Sequence, residues 1–238
     1  MPSPTPTPPS TSPNAVPAVI AIDGPVASGK TAVGRELGRR LGYRFIDTGL
    51  MYRACTHLAL RSGVSVDDAP ALERLVGSVR MDIVVRAEGE RLEVDGEDVT
   101  SALRTPEVEA HVSTVAAVPA VRVAMVAQQQ RMAEEGRVVM VGRDIGSKVL
   151  PDAGKVYLDA SPDERVRRRL AEVAGNQTEA EVRANLELRD RTDSEREMSP
   201  LEVAEGAVVV VTDNLDVAGV AEAVISVLRE TGPREGSR

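Results

Sequence analysis

Residues 18–31 read AVIAIDGPVASGKT, and this stretch decides the fold. Its first part, Ala18 to Ile22, is a short apolar run with the composition of a buried β-strand, and it ends at Asp23. From Lys30 to Leu41, apolar residues recur at helical spacing. We therefore predict the order strand, glycine-containing loop, helix for this part of the chain.

The loop between these two elements matches a phosphate-binding motif. Residues Gly24 to Thr31 fit the pattern G-x-x-x-x-G-K-[ST] at the required place, after a strand and at a helix N-terminus. Glycines let successive backbone N–H groups face one anion, and the helix N-terminus adds partial positive charge. Lys30 supplies a charge for the β and γ phosphates, and the Thr31 hydroxyl is a candidate Mg²⁺ ligand. The predicted nucleoside triphosphate site comprises Gly24, Pro25, Val26, Ala27, Ser28, Gly29, Lys30 and Thr31.

Further along the chain, short apolar segments alternate with helical patterns. The sequence predicts strands at residues 44–46, 138–141, 155–158 and 207–211, and helices at 161–174 and 216–230. Continuous apolar strands separated by helices indicate a parallel sheet that is covered on both faces. We therefore predict an α/β fold of three layers, the P-loop NTPase fold, with a central parallel sheet and helices on both of its faces.

Two regions depart from this alternation. Residues 1–17 hold seven of the fifteen prolines, with Ser and Thr in most of the gaps, and are predicted to be a disordered leader. Residues 81–86 and 91–94 have strand composition and flank a short polar segment, which predicts a β-hairpin. The predicted organisation is a core at 18–62 and 110–230, an inserted subdomain at 63–109 and a flexible tail at 231–238.

The composition excludes several classes of protein. The chain has 238 residues, with 29 Lys plus Arg against 37 Asp plus Glu and a formal net charge of −8. A non-specific nucleic-acid binder needs a broad basic surface instead. No apolar run reaches the roughly 18–20 residues that span a bilayer. Because Cys55 is the only cysteine, no intramolecular disulfide can form. We expect a cytoplasmic protein that binds neither nucleic acid nor membranes.

Three further motifs carry the polar groups of a second binding site. Residues 47–53 read DTGLMYR after the second predicted strand, residues 142–146 read GRDIG, and residues 189–196 read RDRTDSER. The first of these leaves the same edge of the sheet as the phosphate loop, and that edge binds ligands in parallel sheets. Arg53 offers a planar donor fork that suits phosphate, and Thr48 offers a hydroxyl.

With these motifs, the chain from Val19 to Glu230 resembles the bacterial cytidylate kinase family. The resemblance rests on GPVASGKT, DTGLMYR, RTPEV at 104–108, STVAAVPAVR at 113–122, GRDIGSKVLPDA at 142–153, ASPDERVRRR at 160–169 and the spacing of Arg189, Asp193 and Arg196. It implies a nucleoside monophosphate kinase that transfers the γ-phosphoryl group of ATP to CMP or dCMP, with Mg²⁺ bound beside the ATP. It also implies that the insertion binds the nucleoside monophosphate and that residues from about 160 to 196 form a mobile lid. We further expect a monomer.

The resemblance also assigns roles to residues. Positions that match the family's acceptor site predict a CMP-binding set of Thr48, Tyr52, Arg53, Ser113, Arg122, Arg143, Asp144, Arg189, Asp193 and Arg196. Within this set, Ser113, Arg122 and Asp144 fall where the family reads cytosine, and Arg189 and Asp193 fall where it contacts the pentose. Thr48, Arg53, Arg143 and Arg196 fall where it clamps the acceptor phosphate. The predicted catalytic residues are Lys30, Arg143 and Arg196. Ala32 stands where relatives carry a second hydroxyl residue, so Thr31 alone is the predicted metal contact.

Two other functions stay open from the sequence. A P-loop kinase with a hydroxyl acceptor, such as shikimate, would need a carboxylate that takes the hydroxyl proton, and Asp47 or Asp144 could serve. A nucleotide-binding regulatory protein without turnover would have a disrupted acceptor site, whereas arginines and acids occupy every matched position. A GTPase switch is not expected, because the guanine-reading pattern N-K-x-D is absent from the sequence.

Overall fold

A computed structural model describes residues 15–86, 89–173 and 177–231. Its strands are β1 Val19–Asp23, β2 Arg44–Asp47, β3 Met81–Arg86, β4 Gly89–Val94, β5 Glu97–Asp98, β6 Val138–Val141, β7 Gly154–Asp159 and β8 Val208–Val211. Five of them form a parallel sheet in the order β2-β6-β1-β7-β8. Because β1 lies at its centre, the phosphate loop leaves from the middle of the sheet.

The helices are α1 Lys30–Leu41, α2 Thr48–Arg61, α3 Ala69–Gly77, α4 Pro106–Ala117, α5 Pro119–Ala133, α6 Pro162–Glu172, α7 Glu179–Glu195 and α8 Val217–Thr231. A 3₁₀ turn at Thr100–Ala102 and a π-helical turn at Ile145–Val149 complete the regular structure of the described residues. Several N-termini follow their sequence signals, as at α6, where Ser161 is the N-cap and Pro162 the first helical residue.

Alternate residues of the central strands pack on opposite faces of the sheet. Ile20 and Ile22 of β1 belong to an apolar cluster with residues of α1 and α8. Ala21, between them, belongs to a second cluster with residues of α2, α4 and α5. Both faces are therefore covered by helices, and the predicted three-layer α/β fold is confirmed.

The region between α2 and α4 is built differently. It contains α3 and a three-stranded antiparallel sheet in the order β3-β4-β5. Leu72, Met81 and Leu92 are fully buried there, in the same apolar cluster as Met51 of α2 and Met125 of α5. This region therefore shares the core of one face of the main sheet.

Element boundaries from the sequence are close to those of the structure. The predicted α1 and β6 agree at both ends, and the predicted hairpin is present, with β4 beginning two residues earlier, at Gly89. A third strand, β5, was not predicted. The predicted leader and tail lie mostly outside the described residues, at 1–14 and 232–238, as does the hairpin turn at 87–88. The domain boundaries stay a prediction.

No single helix within the described ranges is long and apolar enough to cross a membrane. Only α4 and α5 taken together, across a bend of 93°, reach the length and composition of a span. Apolar residues of both helices, such as Val112, Val115, Val121 and Met125, are buried in the core.

The close packing of α1 on the sheet can be tested at Gly34. A Cβ added there would lie 2.6 Å from Val141 Cγ1 and 2.7 Å from Phe45 Cε2. We expect Gly34→Ala to lower the free energy of unfolding by about 1–3 kcal/mol, because overpacking outweighs the gain in helix propensity. Urea denaturation measures the change.

The matched control is Gly77→Ala in α3, where an added Cβ meets nothing within 4 Å. This variant should be neutral or slightly stabilising. Equal effects of the two substitutions would contradict the packing described for Gly34.

Candidate active site

One cleft of about 390 Å³ lies at the carboxyl edge of the central sheet. From the phosphate loop it is lined by Val26, Ala27, Gly29, Lys30 and Thr31. On the opposite side it is lined by Thr48, Tyr52, Arg53, Ser113, Arg122, Arg143, Asp144, Arg189, Asp193 and Arg196. All predicted acceptor-site residues thus share one cavity with Lys30, whereas Gly24, Pro25 and Ser28 lie outside its lining.

The phosphate loop has a backbone that depends on its glycines. Gly24 has φ +151°, and a Cβ on it would lie 2.2 Å from the Leu158 carbonyl oxygen of β7. Gly29, at the start of α1, has φ +92°. Ala27 also has a positive φ, +60°, in the left-handed region that non-glycine residues rarely adopt. The glycines of the motif therefore permit this loop conformation, and the close approach of β7 leaves no room for a side chain at residue 24.

Lys30 folds back over the loop that precedes it. Its Nζ donates to the Pro25 carbonyl oxygen at 2.5 Å and to Ser28 Oγ at 3.3 Å. Burial, together with the nearby Arg143 guanidinium, holds the pKa of Lys30 well below its usual range. An anion bound beside Lys30 would favour its charged form.

Asp23, at the end of β1, links the phosphate loop to the GRDIG segment. Its buried carboxylate accepts hydrogen bonds from the Ile145 amide at 2.8 Å and the Gly146 amide at 2.7 Å. The segments that follow the adjacent strands β1 and β6 are thereby held in one relative position. Burial raises the pKa of Asp23 to about 6.

Asp47 makes a second link, between the N-termini of α1 and α2. One carboxylate oxygen accepts the Gly49 amide at 3.0 Å as the N-cap of α2, and the other accepts the Thr31 hydroxyl at 2.9 Å. Thr48 donates to the Val141 carbonyl oxygen at 2.9 Å, which ties α2 to β6. A hydroxyl and a carboxylate therefore stand together beside the phosphate loop, and hard oxygen donors of this kind suit Mg²⁺.

A buried ion pair lines the cleft on the side opposite the phosphate loop. Arg122 of α5 is 1% exposed and donates to the Asp144 carboxylate, and its guanidinium lies 5.3 Å from the Tyr52 ring centroid. Arg196 approaches the other oxygen of Asp144 at 3.8 Å. Tyr52 Oη is buried and has no hydrogen-bond partner among the described residues. Charged groups of both signs therefore line the same cavity as Ser113.

A second group of ion pairs lies where α7 meets the cleft. Arg143 Nε donates to Asp193 Oδ2 at 2.7 Å, and Arg196 Nη1 lies 3.8 Å from Asp193 Oδ1. Burial opposes ionisation of Asp193, but the charge and hydrogen bond of Arg143 together with the charges of Arg196 and Arg189 outweigh burial, and the pKa of Asp193 lies below its ordinary value. Helix α7 ends at Glu195, with Arg196 as its C-cap, whereas Arg189 lies within the helix.

Side chains of helices α6 and α7 contact the phosphate loop. Asp190 of α7 accepts the Val26 amide at 3.4 Å and pairs with Arg165 of α6, which also donates to the Val26 carbonyl oxygen at 3.3 Å. Arg168 donates to the Thr212 side chain and carbonyl oxygen, both at 2.9 Å. Among the four arginines of α6, all of them described residues, only Arg167 has a mostly exposed side chain, at 71%.

The sequence of the whole fold, and with it the residues of this cleft, matches a known family. The sequence model described as Cytidylate kinase matches residues 20–230. The chain belongs to the cytidylate kinase family. The predicted resemblance is therefore confirmed.

Individual members of the cytidylate kinase family are similar to this chain in sequence over most of its length. A cytidylate kinase from Geobacillus sp. (strain WCH70) is 43% identical over 215 residues, which cover 89% of this chain and 96% of that protein. One from Bacillus licheniformis is 45% identical over 214 residues, which cover 88% and 95%. Among solved structures, shikimate kinase from Acinetobacter baumannii in complex with shikimate aligns with a TM-score of 0.46 and 16% identity, covering 92% of this chain and 96% of that chain.

Three acids that hold residues around the cleft in place in this cytidylate kinase family member were not singled out from the sequence. Asp23, Glu109 and Asp190 each hold a loop or an arginine in position. Asp47 was considered only as a base for a hydroxyl acceptor, whereas in the structure it caps α2 and accepts the Thr31 hydroxyl. Asp23 ends a strand directly before a binding motif, which is a signal that could have found it. Glu109 and Asp190 have no such signal, because their arginine partners are distant in sequence.

Asp23 predicts a pH-dependent contribution to stability. Because the folded-state pKa of about 6 lies above the ordinary 3.8, the folded protein holds this proton more tightly, and the free energy of unfolding falls as the pH rises towards 6. Relative to Asp23→Asn, the wild type should lose about 2 kcal/mol between pH 4.5 and pH 7.5. Urea denaturation of both proteins at the two pH values measures this difference, and a difference independent of pH would contradict the raised pKa.

Proposed function

We propose that this protein transfers the γ-phosphoryl group of ATP to CMP or dCMP, giving CDP or dCDP. The observation that carries the proposal is the single cleft in which the phosphate loop faces the buried Arg122–Asp144 pair and several further arginines. Membership of the cytidylate kinase family supports the same reaction. The site roles below are part of the proposal.

The acceptor base is proposed to bind beside Ser113, Arg122 and Asp144. Cytosine presents an amino donor, a ring nitrogen acceptor and a carbonyl oxygen, and a carboxylate beside a guanidinium and a hydroxyl can pair with all three. Uracil carries a carbonyl oxygen in place of the amino group, which would face the carboxylate unfavourably. We propose the buried Tyr52 hydroxyl as a further polar contact on this side.

The pentose is proposed to contact Arg189 and Asp193, and the acceptor phosphate to lie among Thr48, Arg53, Arg143 and Arg196. These side chains line the same cavity as the base site. Because Arg143 and Arg196 both contact Asp193, one carboxylate would hold the two guanidinium groups near the acceptor. Because the arginine side chains are already held in place, they would lose less conformational entropy when the acceptor binds.

The donor is proposed to bind on Gly24 to Thr31, with Lys30 beside the β and γ phosphates. We propose Mg²⁺ as the metal, held through the Thr31 hydroxyl with Asp47 behind it. Within the described residues, no cluster of three or more His, Cys, Asp or Glu could enclose a metal ion alone. This fits a metal that keeps waters and is shared with substrate phosphates. When bound, such an ion neutralises phosphate charge.

Catalysis on this proposal requires alignment and charge neutralisation. The acceptor phosphate is already an anionic nucleophile, so no general base is needed. Lys30, Arg143 and Arg196 would stabilise the charge on the transferring group. The α6–α7 segment, within the predicted lid at about 160–196, would exclude water from the closed cleft.

The hydroxyl-acceptor alternative is disfavoured by the state of its two candidate bases. Asp47 is committed to the α2 N-terminus and to Thr31, and Asp144 to Arg122. A kinase that acts on a hydroxyl would need one of these carboxylates free. The regulatory alternative is disfavoured because the acceptor-side arginines are present and line the cleft.

The remaining expectations are proposals of the same kind. We propose that the insertion at 63–109 binds the nucleoside monophosphate together with the core and that the protein acts as a monomer in the cytoplasm. Arg35 of α1 pairs with Glu90 of β4 at 3.0 Å, which supports an insertion that approaches the cleft.

Lys30→Met tests the donor site. Removing the charge while keeping the length of the side chain should lower kcat/KM for ATP by at least about 10²-fold, the typical cost of an electrostatic contact to the reacting group. A coupled assay of ADP release with CMP measures the loss. Lys148→Met, at an exposed lysine, is the control. Activity of Lys30→Met within about threefold of wild type would overturn the assignment.

Asp144→Asn tests the base site while keeping the buried volume. CMP selectivity over UMP, measured as the ratio of kcat/KM values, should fall by at least about tenfold, because an amide no longer penalises the uracil carbonyl. Asp152→Asn, an exposed acid in the loop before β7, is the control. An unchanged ratio would remove Asp144 from the cytosine site.

A further inference from the structure

Glu109 of α4 contacts three arginines that line the cleft, and two of them, Arg53 and Arg189, are proposed to bind the phosphate and the pentose of the acceptor. Arg53 donates to Glu109 Oε1 through Nε at 2.9 Å and approaches it through Nη2 at 2.8 Å. Arg189 Nη1 lies 3.3 Å and Arg169 Nη2 lies 3.9 Å from Glu109 Oε2. The Glu109 side chain is 22% exposed, so these contacts are only partly screened by water.

The contact with Arg53 uses the donor edge that a phosphate would use. A guanidinium binds carboxylate or phosphate best through two parallel N–H groups, and here Nε and Nη2 of Arg53 both meet Glu109. The remaining nitrogen, Nη1, donates to the Gly49 carbonyl oxygen at 3.2 Å. An incoming phosphate can therefore gain both donors of this edge only by displacing the carboxylate.

Glu109 is charged under ordinary conditions. Burial opposes its ionisation, but Arg53 and Arg189 outweigh burial, and the pKa of Glu109 lies below its usual value. A carboxylate in this position also offsets the mutual repulsion of the arginines around it when no other anion is bound.

We propose that Glu109 is an internal counter-ion that competes with the acceptor nucleotide for Arg53, the proposed phosphate contact, and for Arg189, the proposed pentose contact. This competition weakens acceptor binding and also keeps other small phosphate anions off these arginines. Glu109 is therefore a specificity-determining residue. This inference rests on the proposed function, because it concerns the acceptor phosphate of the same site. The opposite role, a residue that only orients Arg53 for substrate, predicts the opposite change in KM.

The test compares two isosteric substitutions on one helix. Glu109→Gln removes the charge at the arginines, and Glu107→Gln removes a charge two residues earlier, at an exposed position of the first turn of α4. We expect KM for CMP to fall by at least about fivefold in Glu109→Gln, with the change in KM exceeding any change in kcat, and to stay within about twofold of wild type in Glu107→Gln. An unchanged or higher KM in Glu109→Gln would overturn the inference.

A second measurement does not depend on turnover. Inorganic phosphate should raise the midpoint of thermal unfolding more in Glu109→Gln than in Glu107→Gln at equal concentration, because two arginines become available to the anion. Binding of phosphate at the P-loop is common to both proteins and cancels in the comparison. Equal phosphate responses would also overturn the inference.

The two proposals can fail separately. If the wild type phosphorylates CMP and Glu109→Gln shows neither a lower KM nor a larger phosphate response, the inference about Glu109 is wrong and the proposed function stands. If no protein phosphorylates CMP while the phosphate response of Glu109→Gln is larger, the proposed function is wrong and the competition of Glu109 with phosphate is supported.

Discussion

Pairing between arginines and carboxylates is the constraint on which the site depends. Guanidinium groups that share one small cleft repel one another, and a buried charge without a partner costs several kcal/mol. Asp144 and Asp193 neutralise the arginines that are most deeply buried, Arg122 and Arg196. Glu109 serves Arg53 in the same way. The carboxylates come from α4, α7 and the segment after β6, so the folded chain must bring these elements together before the cleft can exist.

The parallel sheet provides the place where this is possible. Strands β1, β2 and β6 are adjacent, and the motifs that follow them leave from one edge. Asp23 joins the segments after β1 and β6 through two backbone amides, and Asp47 joins the N-termini of α1 and α2. The phosphate loop and the opposite side of the cleft are therefore connected by short hydrogen bonds, which limits how far either side can move alone.

Most of the fold could be predicted because its signals are local. The alternation of Ile20, Ala21 and Ile22 between two apolar clusters follows from strand geometry, and the boundaries of α1 follow from helical spacing and from Gly42, its left-handed C-cap. Strand β5 escaped prediction because its two residues, Glu97 and Asp98, have no β-forming composition and are ordered by pairing with β4.

The sequence by itself determined that a phosphate loop joins a buried strand to a helix, that the sheet is parallel, and which motifs carry polar groups, because each of these depends on neighbouring residues. Only the tertiary structure decided which charges meet. The contacts of Glu109 with Arg53, Arg169 and Arg189 join residues 56, 60 and 80 positions apart. Such pairings depend on how whole helices pack, and no spacing in the sequence records them.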